Sequence, residues 1–457
     1  MNRSPLPSHT PGMKPFLAFW SGQLFSLLGS AMTRFALTIW AYQVTGEVTA
    51  LSLMAFFGFA PVILMGPIAG ALVDRWNRKL MMALSDIATA LATILMMVLY
   101  FLGTLQLWHV YVASFFAAFF NAFHWPAYSA SVTLMVPKRQ YARATAISTL
   151  AESGSAILAP ILGATLIALA GVGWVFAVQL IGIAVGLIVL FLVWIPSPSR
   201  SQVGKEAAGS LWRESFFGFR YIFGHKGLLG LQLIFLLGNF FSNFAWILAA
   251  PMILAHTGNS APMLAAAESA GGIGGVIGGA FFSLTGGLFK RRTNGVFIGW
   301  ALPAFFMGAL VGFGQSLWWW MAGFFLASSV GSLNYISNQA IWQSKVPPDV
   351  QGRVFSARMM IAQGVTPISL LLAGPLADKI FEPAMQPGGA LVGLLGPLFG
   401  TGPGAGMAVL IVLASLLTVI SGLSGYLFPV VRNVEKTIPD HDTTVTTMSD
   451  PVTQTLD

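Results

Sequence analysis

The chain has 457 residues, of which 56% are hydrophobic, 13% aromatic and only 8% charged, against roughly 25% charged in a soluble domain. So few charges cannot cover a water-exposed surface of that size, which excludes a soluble protein and makes lipid the solvent for most of it. The absence of cysteine excludes disulfide scaffolds, thiolate metal sites and cysteine nucleophiles, and the net charge of +8 takes its meaning from where the basic residues fall.

Apolar runs long enough to cross the hydrocarbon core as helices number twelve, at 16–42, 48–72, 80–102, 108–136, 144–170, 172–195, 227–250, 261–289, 296–313, 317–343, 355–377 and 406–431. The first is too long for a signal-peptide core and is read as a retained span. With a cytoplasmic N-terminus, 21 of the 23 basic residues fall in alternate loops on one side. That distribution matches the positive-inside rule, puts both termini in the cytoplasm and leaves no single basic face for nucleic acid. The division that follows is an N-terminal tail (1–14), a six-helix half (15–195), a linker (196–226), a second six-helix half (227–431) and a polar tail (432–457) expected to be disordered. In the linker, Trp212, Phe216, Phe219 and Phe223 recur at helical spacing, as in a helix lying in the membrane interface or a plain connecting helix. Trp318-Trp319-Trp320 reads as an interfacial belt.

The halves echo each other. Leu27-Leu28-Gly29-Ser30 before Arg34-Phe35-Ala36 returns as Leu236-Leu237-Gly238-Asn239 before Asn243-Phe244-Ala245, 209 residues later. Val136-Pro137 before Arg143 returns as Val346-Pro347 before Arg353, 210 later, and Arg78-Lys79 returns as Arg291-Arg292, 213 later. Six helices per unit preserve orientation, so the fold expected is an all-α membrane protein of twelve transmembrane helices in two parallel six-helix repeats. Such repeats place a substrate site between them.

The loop after the second span, Gly70-Ala71-Leu72-Val73-Asp74-Arg75-Trp76-Asn77-Arg78-Lys79, resembles the signature G-x-x-x-D-R-x-G-R-K of the major facilitator superfamily, with Asn77 for the usual Gly. Asn tolerates the positive φ of a tight turn. The resemblance implies a gating motif at Gly70, Asp74, Arg75, Arg78 and Lys79, in which the Asp faces a helix N-terminus and an Arg. The same basic residues also serve as topogenic charges. A weaker match to the fifth-span exporter pattern runs through Ala146, Ser155, Ala159, Pro160 and Gly163, small residues and a Pro suited to a tightly packed, bent helix. Phe19-Trp20-Ser21-Gly22-Gln23 and Trp125-Pro126-Ala127 are similar to the bacterial macrolide-efflux and enterobactin-exporter branch. By that resemblance the chain is an exporter of a drug, macrolide or siderophore-like molecule in exchange for protons, acting as a monomer in the bacterial inner membrane. The alternatives are an importer of the same fold and a non-transporting receptor.

Ionisable residues inside a span are functional candidates. Arg34 is placed to bind an anionic group, pair with a carboxylate or snorkel to the interface. Glu152 and Glu268 are carboxylates suited to carrying protons, with structural hydrogen bonding and interfacial hydration as their plain alternatives. His124 pairs with Asn334 across the repeat, as a proton carrier or a packing hydrogen bond. Asp86 is read as a partner of the adjacent basic loop. Asn121, Asn239, Asn243, Asn334 and Asn338 are candidates for lining the cavity. No phosphate-binding loop, nucleophile triad or metal-ligand cluster appears, so no enzyme, cofactor or metal is expected; the glycines from Gly271 to Gly279 read as helix packing.

Overall fold

The computed structural model describes residues 12–137, 140–195, 211–285, 289–347 and 350–440. They are helical throughout, without a strand among them. The first half comprises α1 (Met13–Thr45), α2 (Val48–Arg75), α3 (Arg78–Phe101), α4 (Leu107–Met135), α5 (Tyr141–Ala170) and α6 (Val172–Leu192). A connecting helix α7 (Leu211–Gly224) leads to α8 (Lys226–His256), α9 (Ala261–Leu284), α10 (Arg292–Phe306) and α11 (Leu317–Lys345). The eleventh span is a broken pair, α12 (Gln351–Gln363) and α13 (Thr366–Leu376). Two short helices, α14 (Glu382–Met385) and α15 (Val392–Phe399), precede the last span, α16 (Ala405–Ser424). Ten spans are long and apolar enough to cross a membrane by length and composition. α4 and α11, whose interiors carry Asn121, His124, Asn334 and Asn338, complete the twelve.

Proline inside a helix withholds a backbone donor, and two of these helices change their winding a few residues after one. After Pro303, α10 continues as a π-helical turn, Met307–Gly312; after Pro375, α13 continues as another, Ala377–Phe381. The glycine run on α9 packs helices, as its composition implies. A Cβ at Gly274 or Gly278 would run into the backbone of Phe325 or Ser329 on α11, and Ser329 Oγ donates to the Gly274 carbonyl at 2.9 Å.

The repeat is visible in the hydrogen bonds. Arg78 Nη1 donates to the Ala130 carbonyl at 3.0 Å, and its counterpart Arg292 Nη1 donates to the Ala340 carbonyl at 3.1 Å. In each half a basic residue at the start of the third helix thus ties it to the fourth. Asn77 corrects the expectation of a left-handed turn: its φ is −68°, and its side chain accepts from the Lys79 and Leu80 N–H groups as an N-cap.

The linker forms the expected helix, and it packs against the second half. Ile222 is buried in the core of the second half and Gly218 lies where a Cβ would meet the Arg353 carbonyl, so α7 docks on α12; Phe223, 58% exposed, is on the outer face. The side chains of Trp212 and Phe216 lie outside the described residues. Of the tryptophan triplet, Trp318 is 76% exposed, whereas Trp320 is 2% exposed and donates through its indole N–H to the Gly314 carbonyl at 2.8 Å.

The polar tail is not disordered where it begins. Val434 is buried, Lys345 Nζ sits 2.7 Å from both the Asp440 carboxylate and the Glu435 carbonyl, and residues 441–457 lie outside the described residues. The Glu435 carboxylate accepts from Arg292 N at 3.2 Å, Thr293 N at 3.0 Å and Thr293 Oγ1 at 3.0 Å, capping α10 from the far end of the sequence. A cap of this kind contributes about 1–2 kcal/mol. Glu435→Ala should therefore lower the thermal unfolding temperature of the purified protein by about 1–3 °C, with Glu435→Gln intermediate.

Candidate functional site

The central cavity has a volume of about 1110 Å³ and is walled by both halves. α1, α2, α4 and α5 face α8, α9 and α13 across it, and much of the wall is Ala, Leu, Met and Phe. Among small hydroxyl residues, the larger polar and charged groups are Arg34, Asn121 and Gln179 from the first half and Asn243, Glu268 and Gln363 from the second, with Thr366 beside Asn243. Arg34 and Glu268 bring opposite charges from opposite halves and interact electrostatically. Asn243 Nδ2 donates to Thr366 Oγ1 at 3.0 Å, which fixes the amide at the cavity wall.

The two ends of the molecule are built differently. At the end away from the basic loops, one continuous apolar core includes Phe35, Ile39 and Trp40 of α1 together with Phe244, Leu248 and Met252 of α8. At the basic-loop end the cores are separate, one around Phe16, Met82 and Phe123 in the first half and the other around Leu231, Phe297 and Trp342 in the second. The halves are therefore joined at the far end and part toward the basic loops.

A carboxylate completes the seal. Asp378, in the π turn after α13, accepts from the backbone N–H of Val48 at 3.0 Å, from that of Thr49 at 2.7 Å and from Thr49 Oγ1 at 2.6 Å. It caps the N-terminus of α2 from the opposite half, where the helix dipole favours negative charge. A Cβ on Gly374 would strike Thr49, so the helices also touch backbone to backbone. Glu382 performs the same service within the second half, accepting from Gly404 N at 3.1 Å and Met407 N at 2.8 Å at the start of α16.

The structure brings only some of the expected residues together. Arg34, Glu268, Asn121 and Asn243 line the main cavity. Glu152 does not: it is exposed, beside the cavity-lining Ser153. Asn239 and Asn334 line a second space of about 330 Å³ within the second half, where Asn239 Nδ2 donates to the Ala362 carbonyl at 3.1 Å. Asn338 is buried and lines neither space. Asp86 is not the partner of the basic loop; it lies beside His124, 3.6 Å from its Nε2. Arg78 instead holds α4, and Lys79 Nζ donates to the Phe191 and Val193 carbonyls at 2.9 and 3.0 Å, at the end of α6. Gly70, Asp74 and Arg75 belong to α2, and their side chains lie outside the described residues. On α5, Ser155, Ala159, Pro160 and Gly163 are buried and Gly163 meets Phe35, but Ala146 is exposed and takes no part in that packing.

The model of the Major Facilitator Superfamily matches residues 19–369. The chain belongs to that superfamily. It is 29% identical over 375 residues to macrolide efflux protein A of Streptococcus pyogenes, covering 80% of this chain and 90% of that protein. It is 28% identical to macrolide efflux protein A of Enterococcus faecalis, covering 71% of this chain and all of that one. Among solved structures, a bacterial homologue of the iron transporter ferroportin in an inward-facing state superposes with a TM-score of 0.65 at 13% identity, over 90% of this chain and 98% of that one. A bacterial homologue of the lysosomal transporter Spinster, also inward-facing, gives 0.61 at 17% identity, over 90% and 95%. Identities this low carry the fold alone. The protein is a multi-pass membrane transporter of this superfamily, and it resembles the macrolide-efflux branch.

Loss of the Asp378 charge should loosen the sealed end. The chain has no cysteine, so a single Thr38→Cys reporter in the cavity wall is clean. Asp378→Asn should raise its labelling by an impermeant maleimide added at the far end about threefold to tenfold, the effect of roughly 1 kcal/mol.

Proposed function

We propose that the transporter exports an amphipathic organic molecule, of macrolide, dye or siderophore-like character, from the cytoplasm in exchange for protons by alternating access. The observation that carries this reading is the inter-half cavity: mostly apolar, large enough for a drug-sized ligand, and furnished with one cation and one anion from opposite halves. Adaptable Met and Phe walls suit ligands of differing shape. The two macrolide-efflux relatives support export as the direction.

The basic loops lie in the cytoplasm on this reading, as the positive-inside rule requires. The conformation is then inward-facing, with the cavity reached from the cytoplasm and the outer end closed by Asp378. Substrate enters between the parted cores, displaces water from the apolar wall and interposes between Arg34 and Glu268. Closing the cytoplasmic end and freeing the α2 N-terminus from Asp378 passes it outward. The motif at Asp74 to Lys79 stabilises the alternative, outward-facing closure. One chain supplies both halves of the site, so a monomer suffices.

Accumulation of macrolides, cationic dyes and siderophores should be lower in cells carrying the protein than in cells without it, and a proton uncoupler should abolish the difference. Equal accumulation of all of them would remove the export reading. Arg34→Gln and Glu268→Gln should each reduce export at least about tenfold, the scale of one charge-assisted contact. Asp74→Asn should impair turnover with membrane insertion intact, measured by surface biotinylation alongside transport.

A further inference from the structure

Asp86 lies outside the cavity, 6% exposed, on the third span. His124 of α4 is its neighbour at 3.6 Å, and the amide of Gln23 on α1 faces it. Asp86 Oδ2, His124 Nε2 and Gln23 Nε2 are each buried with no hydrogen bond of 3.5 Å or less, the Gln23 amide lying close enough only for a weak one to the Asp86 carboxylate. Three polar groups gathered in this way are expensive in an apolar interior unless something completes them.

Charge neutrality says what that is. Glu268 already faces the permanent charge of Arg34. Asp86 has no such partner. Among the helices packed on α3, α6 supplies no ionisable residue, and α4 supplies His124, with Tyr128 one turn on and bonded to Ser148, and His109 and Tyr111 about four turns away at its start. In α1 they are Lys14, Arg34 and Tyr42, and in α2 Asp74 and Arg75 at its basic-loop end; on α3 itself they are Arg78, Lys79 and, at the far end, Tyr100. Arg78 and Lys79 are committed to the carbonyls of Ala130, Phe191 and Val193. An imidazole balances a carboxylate only when it carries a proton. The pair is neutral with one proton on either member and carries a net negative charge without it.

The repeat shows that the fold does not require the pair. With Arg78 matched to Arg292, the positions that correspond to Asp86 and His124 are Trp300 and Asn334, and neither is ionisable. Where the second half carries an indole and an amide, the first half carries two titratable side chains. The pair also has a route to the cavity. Thr89, one turn from Asp86, and Asn121, one turn from His124, both line it, as does Thr93 beyond.

We propose that Asp86 and His124, with Gln23 beside them, form a proton-binding site within the first half, one turn below the substrate cavity and separate from it. The site takes one proton from water reaching it through the polar face of Thr93, Thr89 and Asn121, and returns one to water when the cavity faces the other way. The role in coupling rests on the proton-antiport reading; the site itself does not.

Infrared difference spectra of the purified protein in lipid, between mildly acid and mildly alkaline buffer and without substrate, test the site directly. The pair's carboxylic-acid and imidazolium bands should appear in the wild type, persist in Glu268→Gln and vanish from Asp86→Asn. With Asp86 in place, His124→Gln should move the midpoint to lower pH, because the proton loses one of its two resting places, and this variant carries the test if Asp86→Asn does not fold. Wild-type spectra from which subtraction of those of Asp86→Asn leaves no such bands, or a midpoint of the Asp86-dependent bands unmoved by His124→Gln, would overturn the proposal. In proteoliposomes, Asp86→Asn should lose at least about tenfold of gradient-driven export while substrate exchange without a gradient continues. A wild type indifferent to the gradient, but with bands that depend on Asp86, would overturn proton antiport and leave the site standing.

Discussion

Hydrocarbon offers no hydrogen bond, so every polar group that enters it must be answered from within the protein. The helices answer their own backbones along their length; their ends do not. Much of what is specific to this chain is the way those ends are met. Asn77 caps α3 locally, Glu435 caps α10 from the tail, Glu382 caps α16 across a loop, and Asp378 caps α2 across the boundary between halves. Basic side chains do the converse, Arg78 and Arg292 reaching carbonyls of the neighbouring helix in each half. Three of these four caps lie within one half, and Asp378 is the one that joins the two halves.

That difference explains the asymmetry of the ends. One apolar core runs across both halves where Asp378 sits, and two separate cores lie where the basic loops are. A core of close-packed side chains resists gradual deformation and opens by parting at a surface. Placing one charge-assisted cap beside that surface gives the closed end a contact that is made or lost as a unit. Helix α7 and the folded start of the tail both dock on the second half, at its basic-loop end.

The architecture was legible because its causes are local. Apolar runs, alternating basic loops and offsets of 209 to 213 residues needed no knowledge of contacts, and the twelve spans and the repeat follow from them. The wall of the cavity was half legible. Arg34, Glu268, Asn121 and Asn243 declared themselves as polar residues within spans, but so did Glu152, and only helix rotation removes it from the cavity. Gln179, Thr89 and Thr366 gave no signal, being ordinary neutral residues of helices. Asp378 was visible only as an acidic residue at the end of a span. Its role depends on a π turn that re-aims it and on a helix start 330 positions away in sequence, and no periodicity in the chain encodes that. The tail misled for the opposite reason, since its composition is that of a disordered segment and its docking rests on one buried valine, one cap and one lysine.

The repeat finally separates what architecture demands from what this protein has added. Arg78 and Arg292 make the same bond in both halves, which marks it as part of the scaffold. Arg34 answers to Asn243, Asp86 to Trp300 and His124 to Asn334. At all three the first half is ionisable and the second is neutral. Glu268 reverses the pattern, and it does so facing Arg34 across the cavity. A scaffold that folds with neutral residues at one copy of a position gains nothing in stability from a charge at the other, since burial of a charge is costly unless paired. Charges such as Lys345 and Glu382 also lack a charged counterpart, but there a cap or a docked tail answers them. Arg34, Asp86 and His124 have no such structural return, which sets them apart as the charges that folding alone does not explain.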